Sequence, residues 1–181
     1  MSMADERLEI RLQKRDFEEL AKMAMKEHLR FTSDSDSARK YDNKLAIIAL
    51  SQGSATYYVY PEATAIGIKD LDVLLLYRCD SLWLPSWRRI KGDEYKPAAA
   101  SKSVKVDFSK GAIQKDICES YTEEEGLLQA YLDQARSAKA RHIGKQCVIG
   151  LWPERLSGVI LHKPALKDIM EYRTNERGKP S

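Results

Sequence analysis

The chain of 181 residues lacks any apolar run long enough to cross a membrane. Its longest apolar stretches, residues 45–50 and 73–76, fall far short of the roughly 20 residues that a membrane-spanning helix needs. Residues 1–15 are charged and lack the apolar core of a secretory signal peptide. We therefore expect a cytoplasmic protein that has no membrane partner.

Cysteines are few, and several common catalytic motifs are missing. Cys79, Cys118 and Cys147 are widely spaced and form no C-x-x-C pair, so we interpret them as reduced, structural thiols. The sequence contains no H-E-x-x-H, G-x-S-x-G, Walker A or G-x-G-x-x-G pattern. Metalloprotease, α/β-hydrolase, P-loop and Rossmann assignments therefore lose their usual support.

A strong charge bias is also missing. Thirty basic and 27 acidic side chains leave a net charge of +3, which is too small for the whole molecule to bind nucleic acid electrostatically. Hydrophobic residues make up 43% of the chain, enough for the core of one domain. We assign this domain to residues 1–173 and predict a disordered tail over residues 174–181.

Hydrophobic periodicity predicts alternating helices and strands. The predicted helices cover residues 5–29 and 122–143, with shorter helical segments after residues 32–39 and over residues 55–60. The predicted strands cover residues 45–50, 70–77 and 104–108, and short apolar pieces follow at residues 146–151 and 159–161. Residues 80–103 contain prolines and tryptophans and are predicted to be mostly irregular.

Two acids stand at the start of the second predicted strand, where Asp70 and Asp72 flank one leucine. Alternate residues of a strand face the same side, so both carboxylates point the same way and repel each other unless a cation bridges them. Asp107 has a comparable position on the third predicted strand. The three carboxylates together predict an oxygen-rich site for one or two Mg²⁺ ions.

A Gly-Ser pair follows the first predicted strand directly. Gly53 would let the backbone approach a phosphate closely, and Ser54 would supply a hydroxyl. The N–H groups at the start of the following helix would point toward the same anion.

These segments together resemble the nucleotidyltransferase superfamily, which includes DNA polymerase beta, aminoglycoside nucleotidyltransferases and the minimal nucleotidyltransferases of toxin–antitoxin pairs. The matching segments are an apolar strand with Gly-Ser at residues 49–54, an Asp-x-Asp strand at residues 69–73 and an apolar-Asp-apolar strand at residues 106–108. They cover about the first two thirds of the chain. The residues of these segments look like those of a little-characterised bacterial branch of predicted nucleotidyltransferases.

The resemblance implies an α/β (α+β) fold with a small mixed sheet flanked by helices. We expect the helices on one side of the sheet, with an N-terminal helix and a long C-terminal helix. It also implies transfer of NMP from an NTP, expected to be ATP, to a hydroxyl acceptor with the help of two Mg²⁺ ions. The implied catalytic and metal-binding residues are Asp70, Asp72 and Asp107, with Asp107 as ligand or general base, and the implied nucleotide-binding residues are Gly53, Ser54 and Lys69.

Several alternatives stay open at this stage. The same cleft could serve a catalytically silent module that binds a nucleotide or a partner protein. Basic residues near the end of the long predicted helix form either a solvated face or a contact for the triphosphate or an RNA: Arg136, Lys139, Arg141, His142 and Lys145. Trp83 and Trp87 fit core or lid packing better than stacking on a substrate. The acceptor is open, and so is the choice between a monomer and a homodimer.

Overall fold

A six-stranded mixed sheet forms the centre of the computed structural model, which describes residues 7–79, 84, 93–133 and 138–178. The strands are β1 (Leu45–Ser51), β2 (Asp70–Arg78), β3 (Asp93–Tyr95), β4 (Val104–Ile113), β5 (Val148–Trp152) and β6 (Ile160–His162). Their spatial order is β3-β4-β2-β1-β5-β6. β2 and β4 are parallel, and the other neighbours are antiparallel. The predicted α/β (α+β) class is confirmed.

Seven helices flank this sheet within the described residues. They are α1 (Lys14–Asp34), α2 (Asp36–Arg39), α3 (Gln52–Val59), α4 (Lys115–Ser120), α5 (Glu124–Leu132), α6 (Ala138–Gly144) and α7 (Leu166–Arg177), and a short 3-10 helix covers Glu154–Leu156. None of the described helices is long and apolar enough to cross a membrane.

Both faces of the central strands are buried, which corrects the expectation of helices on one side. Ile48 and Leu50 of β1 belong to the core beneath α1 and α3, whereas Ile47 and Ala49 belong to a second core with α5 and α6. Successive strand residues point to opposite faces, so a continuous apolar run needs apolar cover on both sides. The runs that predicted β1 and β2 are of this kind.

The N-terminal helix lies later in the chain than its periodicity predicts. α1 begins at Lys14 instead of residue 5 and continues to Asp34. Before it, the backbone of Leu8 exchanges hydrogen bonds of 2.8 and 2.9 Å with that of Ile68. This pairing joins segments that are distant in sequence, so local periodicity could not reveal it.

The C-terminal third also differs from the prediction. The helix predicted over residues 122–143 is divided into α5 and α6, because α5 ends at Leu132 and α6 begins at Ala138. α7 continues through residues 174–177, where a disordered tail was predicted to begin. The strand β3 falls in the segment predicted to be irregular. Trp83, Trp87 and Arg136 lie outside the described residues.

Candidate functional site

The sheet brings the three predicted acids to one face of two neighbouring strands. β2 and β4 run parallel in a register that pairs Asp72 with Asp107 and Asp70 with Lys105. Asp70 and Asp72 share a face because they are two residues apart on one strand, and paired residues of adjacent strands face the same side. Asp107 and Lys105 therefore join them on that face.

Burial and like charges act together on Asp72. Burial raises the pKa of its carboxyl to about 7, with further contributions from the negative charges of Asp70 and Asp107, while Lys105 opposes the shift. Lys105 itself lies 2.6 Å from Asp107, measured from Nζ to Oδ1. The hydrogen bond and charge of Asp107 raise the pKa of Lys105. The three acids therefore repel one another, and the largely exposed Lys105 offsets part of this repulsion.

The donor set of this cluster fits a hard divalent cation in chemistry. Carboxylate oxygens are the ligands that Mg²⁺ prefers, at about 2.1 Å from the ion. Within the described residues, the only three acidic, His or Cys ligand atoms found within 4.8 Å of one another belong to Glu123, Glu124 and Glu125, which all pair with Arg155. The three aspartates must therefore converge by side-chain rotation in order to share one ion.

The predicted Gly-Ser turn stands where β1 passes into α3. Gln52, the first residue of α3, has a φ of 60°, a left-handed conformation that is unfavourable for a residue with a side chain. The Ser54 hydroxyl donates to the Ser51 carbonyl over 3.3 Å, and Ser54 is only 2% exposed. Ser54 thus stabilises the turn from inside the fold, and the phosphate-binding role of its hydroxyl stays a prediction.

A pocket of about 260 Å³ joins this turn to the start of β2. It is lined by Arg7, Gln52, Gly53, Ser54, Gly67, Lys69, Asp70, Asp72, His142, Gln146, Tyr172, Arg173 and Glu176. Five of the six predicted site residues are among them. Asp107 does not line the pocket, although its strand position places it next to Asp72.

His142 is the member of the basic group on α6 that faces the pocket. Its ring lies between two other lining residues, 3.0 Å from Gln52 Oε1 through Nε2 and 2.5 Å from the Tyr172 hydroxyl through Nδ1. If Nε2 carries the proton and donates to Gln52, then Nδ1 accepts the hydrogen bond of Tyr172. The imidazole therefore ties α6 and α7 to the strained first residue of α3.

The sequence prediction missed the C-terminal wall of the pocket. Gln146, Tyr172, Arg173 and Glu176 carry no recognisable motif, and they meet the Gly-Ser turn only through the tertiary fold. The spacing of Tyr172, Arg173 and Glu176 along α7 was the available signal, but no helix was predicted over residues 166–173 and a disordered tail was predicted from residue 174. No protein-family model, curated protein or solved structure was found to match the chain.

Proposed function

We propose that this protein is a metal-dependent nucleotidyltransferase, which transfers NMP from an NTP, expected to be ATP, to a hydroxyl acceptor and releases pyrophosphate. The observation that carries the proposal is the position of Asp70, Asp72 and Asp107 on one sheet face, beside a pocket built on the Gly53-Ser54 turn. The raised pKa of Asp72 supports it, because burial and, to a smaller extent, the negative charges of Asp70 and Asp107 disfavour the ionised carboxylate, which a bound cation would stabilise.

The residues of the chain would divide the work as follows. Asp70 and Asp72 would hold Mg²⁺, which neutralises phosphate charge and orients the reacting oxygens when bound. Lys69 lines the pocket and offers positive charge to the phosphates. Asp107 would serve as a further ligand or accept the proton of the acceptor hydroxyl, and it would have to leave Lys105 to do either.

The pocket volume suits the phosphate end of a nucleotide. Sites for whole small-molecule ligands commonly measure about 300 to 1,000 Å³, so a pocket of about 260 Å³ lies at the lower limit. We expect the triphosphate to enter the pocket, with the base and the acceptor lying across its open side.

A catalytically silent, nucleotide-binding module is the second candidate, and one contact favours it. The ion pair between Lys105 and Asp107 engages the third acid outside the pocket. In a silent module this pair would persist when nucleotide binds, and no NMP would be transferred.

The test measures binding of a non-hydrolysable ATP analogue by calorimetry, with and without Mg²⁺. The double variant Asp70→Asn/Asp72→Asn should lower Mg²⁺-dependent affinity by about 100-fold, because it removes two metal ligands. The matched control is Asp34→Asn/Asp36→Asn, which removes two exposed acids of the same spacing and should change affinity less than about twofold. Binding that ignores both Mg²⁺ and the Asp70/Asp72 substitutions would refute the proposal.

A transfer assay separates the enzyme from the silent module. The protein is incubated with Mg²⁺, an NTP labelled at the α-phosphate, and fractions of cell extract as acceptors. An enzyme transfers label to an acceptor, and Asp107→Asn abolishes the transfer. Nucleotide binding without any transfer identifies the silent module.

A further inference from the structure

Arg173 of α7 reaches the backbone of the Gly-Ser turn from the far end of the chain. Its Nη1 donates a hydrogen bond of 2.9 Å to Gln146 Oε1. A Cβ built on Gly53 would lie 3.3 Å from the same Nη1, tighter than ordinary van der Waals contact. The absence of a side chain at residue 53 therefore makes room for the Arg173 guanidinium.

Gln146 fixes the position of the Arg173 guanidinium. Gln146 is only 3% exposed, and it lies just before the start of β5. A buried amide fixes the position of a guanidinium without neutralising its charge, because the amide oxygen accepts a hydrogen bond but carries no net charge.

Two more cations line the same pocket. Arg7 comes from the segment that pairs with Ile68, and Lys69 comes directly before β2. The lining also contains the acids Asp70, Asp72 and Glu176. A ligand that contacts both sets can offer negative charge to the cations and, through a metal ion, positive charge to the acids. A polyphosphate chain with a divalent cation has this pattern.

We propose that Arg173, which Gln146 positions beside the Gly53 backbone, binds the phosphate groups of a polyphosphate ligand with the help of Arg7 and Lys69. The planar guanidinium matches phosphate oxygens with two parallel donors. In this proposal, α7 contributes a ligand-binding side chain to the site. The identity of the ligand as the triphosphate of an NTP rests on the proposed function, whereas the binding of a polyphosphate does not.

The experiment titrates wild-type protein and variants with inorganic tripolyphosphate in EDTA, and with the non-hydrolysable ATP analogue plus Mg²⁺. Arg173→Ala should weaken tripolyphosphate binding by about tenfold or more, because it removes a charge-assisted contact. Lys167→Ala is the matched control, since it removes an exposed cation of α7 that does not line the pocket. It should change affinity less than about twofold.

Gln146→Glu tests the contact between residue 146 and Arg173 without removing it. The carboxylate keeps an acceptor for Arg173 but adds a negative charge beside it, so tripolyphosphate affinity should fall by about fivefold or more. A purely structural Gln146–Arg173 bond predicts unchanged affinity in this variant. Thermal unfolding of each variant shows whether it is folded, and Arg173→Gln, which retains a donor for Gln146, replaces Arg173→Ala if the latter unfolds.

The outcomes separate this inference from the proposed function. Loss of tripolyphosphate binding in Arg173→Ala, with binding retained in Asp70→Asn/Asp72→Asn in EDTA, supports the Arg173 site even if no Mg²⁺-dependent NTP binding is found. Equal tripolyphosphate affinity in wild type and Arg173→Ala overturns the inference, even if NTP binding depends on Mg²⁺. Wild-type protein that binds no tripolyphosphate overturns it as well.

Discussion

Two aspartates, Asp16 and Asp72, show how differently a folded chain can surround a buried carboxylate. Asp16 has no exposed surface, and three donors reach its oxygens: the backbone N–H of Gln13 at 2.6 Å, the Tyr95 hydroxyl at 2.7 Å and the backbone N–H of Ala98 at 2.8 Å. Asp72 is partly buried among like charges. Within the described part of the chain, no hydrogen-bond donor reaches its carboxylate.

The difference separates a structural acid from a candidate functional one. The carboxylate of Asp16 links the start of α1 to Tyr95 of β3 and to the loop that follows it, and its donors replace the water that burial removes. Asp72 loses water without such replacement, which costs stability when it is ionised. A cation supplied from outside the chain would reverse that cost.

The largest effect is expected from Asp16→Ala. The substitution leaves two backbone N–H groups and a tyrosine hydroxyl without their acceptor inside the fold, so we expect the free energy of unfolding to fall by about 3 kcal/mol. Urea unfolding measures the change, and Asp36→Ala, at an exposed position, is the control. A loss below about 1 kcal/mol would contradict the structural role, because it lies within the range of one ordinary hydrogen bond.

Asp72→Asn is expected to act in the opposite direction and to depend on pH. The pKa of Asp72 is about 7 in the folded state against an ordinary value of 3.8, so the folded protein binds a proton that the unfolded chain has lost between these values. Stability from this group is present at low pH and falls as pH rises through 7. The full shift corresponds to about 4 kcal/mol, and solvent screening of the partly exposed carboxylate reduces this value. The variant cannot ionise, so at pH 8 it should be more stable than wild type by about 2 kcal/mol, and by less at pH 5.

Urea unfolding of both proteins at the two pH values checks this prediction. Asp36→Asn should show the same pH dependence as wild type, since its side chain is exposed. An Asp72→Asn variant that is less stable than wild type at pH 8 would show that the carboxylate is stabilised by the fold.

Mg²⁺ should stabilise wild-type protein at pH 8, where Asp72 is ionised. At a concentration about ten times the dissociation constant, ligand binding to the folded state adds about 1.4 kcal/mol. The effect should be smaller at pH 5 and absent in Asp70→Asn/Asp72→Asn. Thermal unfolding in the presence of magnesium chloride measures this stabilisation. Sodium chloride at the same chloride concentration is the control. Equal stabilisation of the double variant would place the ion elsewhere.

The smallest effect is expected from Lys105→Met. Lys105 opposes the charge of the acids from a largely exposed position, so its loss should lower stability at pH 8 by less than about 1 kcal/mol. It should also steepen the fall in stability between pH 5 and pH 8, because the negative charges then face no lysine. An unchanged pH profile would mean that Lys105 does not act on Asp72.

The parts of the site that the sequence predicted depend on local patterns. Apolar runs predicted β1, β2 and the first half of β4, and strand alternation predicted that Asp70 and Asp72 share a face, which the register of β2 confirms. The Gly-Ser turn followed from its position directly after β1.

The parts that could not be predicted depend on contacts between distant segments. His142 and Gln52 are 90 positions apart, and Arg173 reaches Gly53 from α7. Residues 7–13 had the composition of a helix, but Leu8 pairs with Ile68 instead. The ion pair between Asp107 and Lys105 was also not predicted. Their spacing of two residues on one strand indicates only that the two side chains share a face.

The most direct test of the central claim is a crystal soaked with Mg²⁺ and a non-hydrolysable ATP analogue. We predict cation density in contact with Asp70 and Asp72, phosphates beside Gly53, and the Asp107 carboxylate turned from Lys105 toward the cation. Nucleotide bound away from this pocket, or bound within it with no cation near Asp70 and Asp72, would contradict the proposal that the three acids form a metal-dependent site.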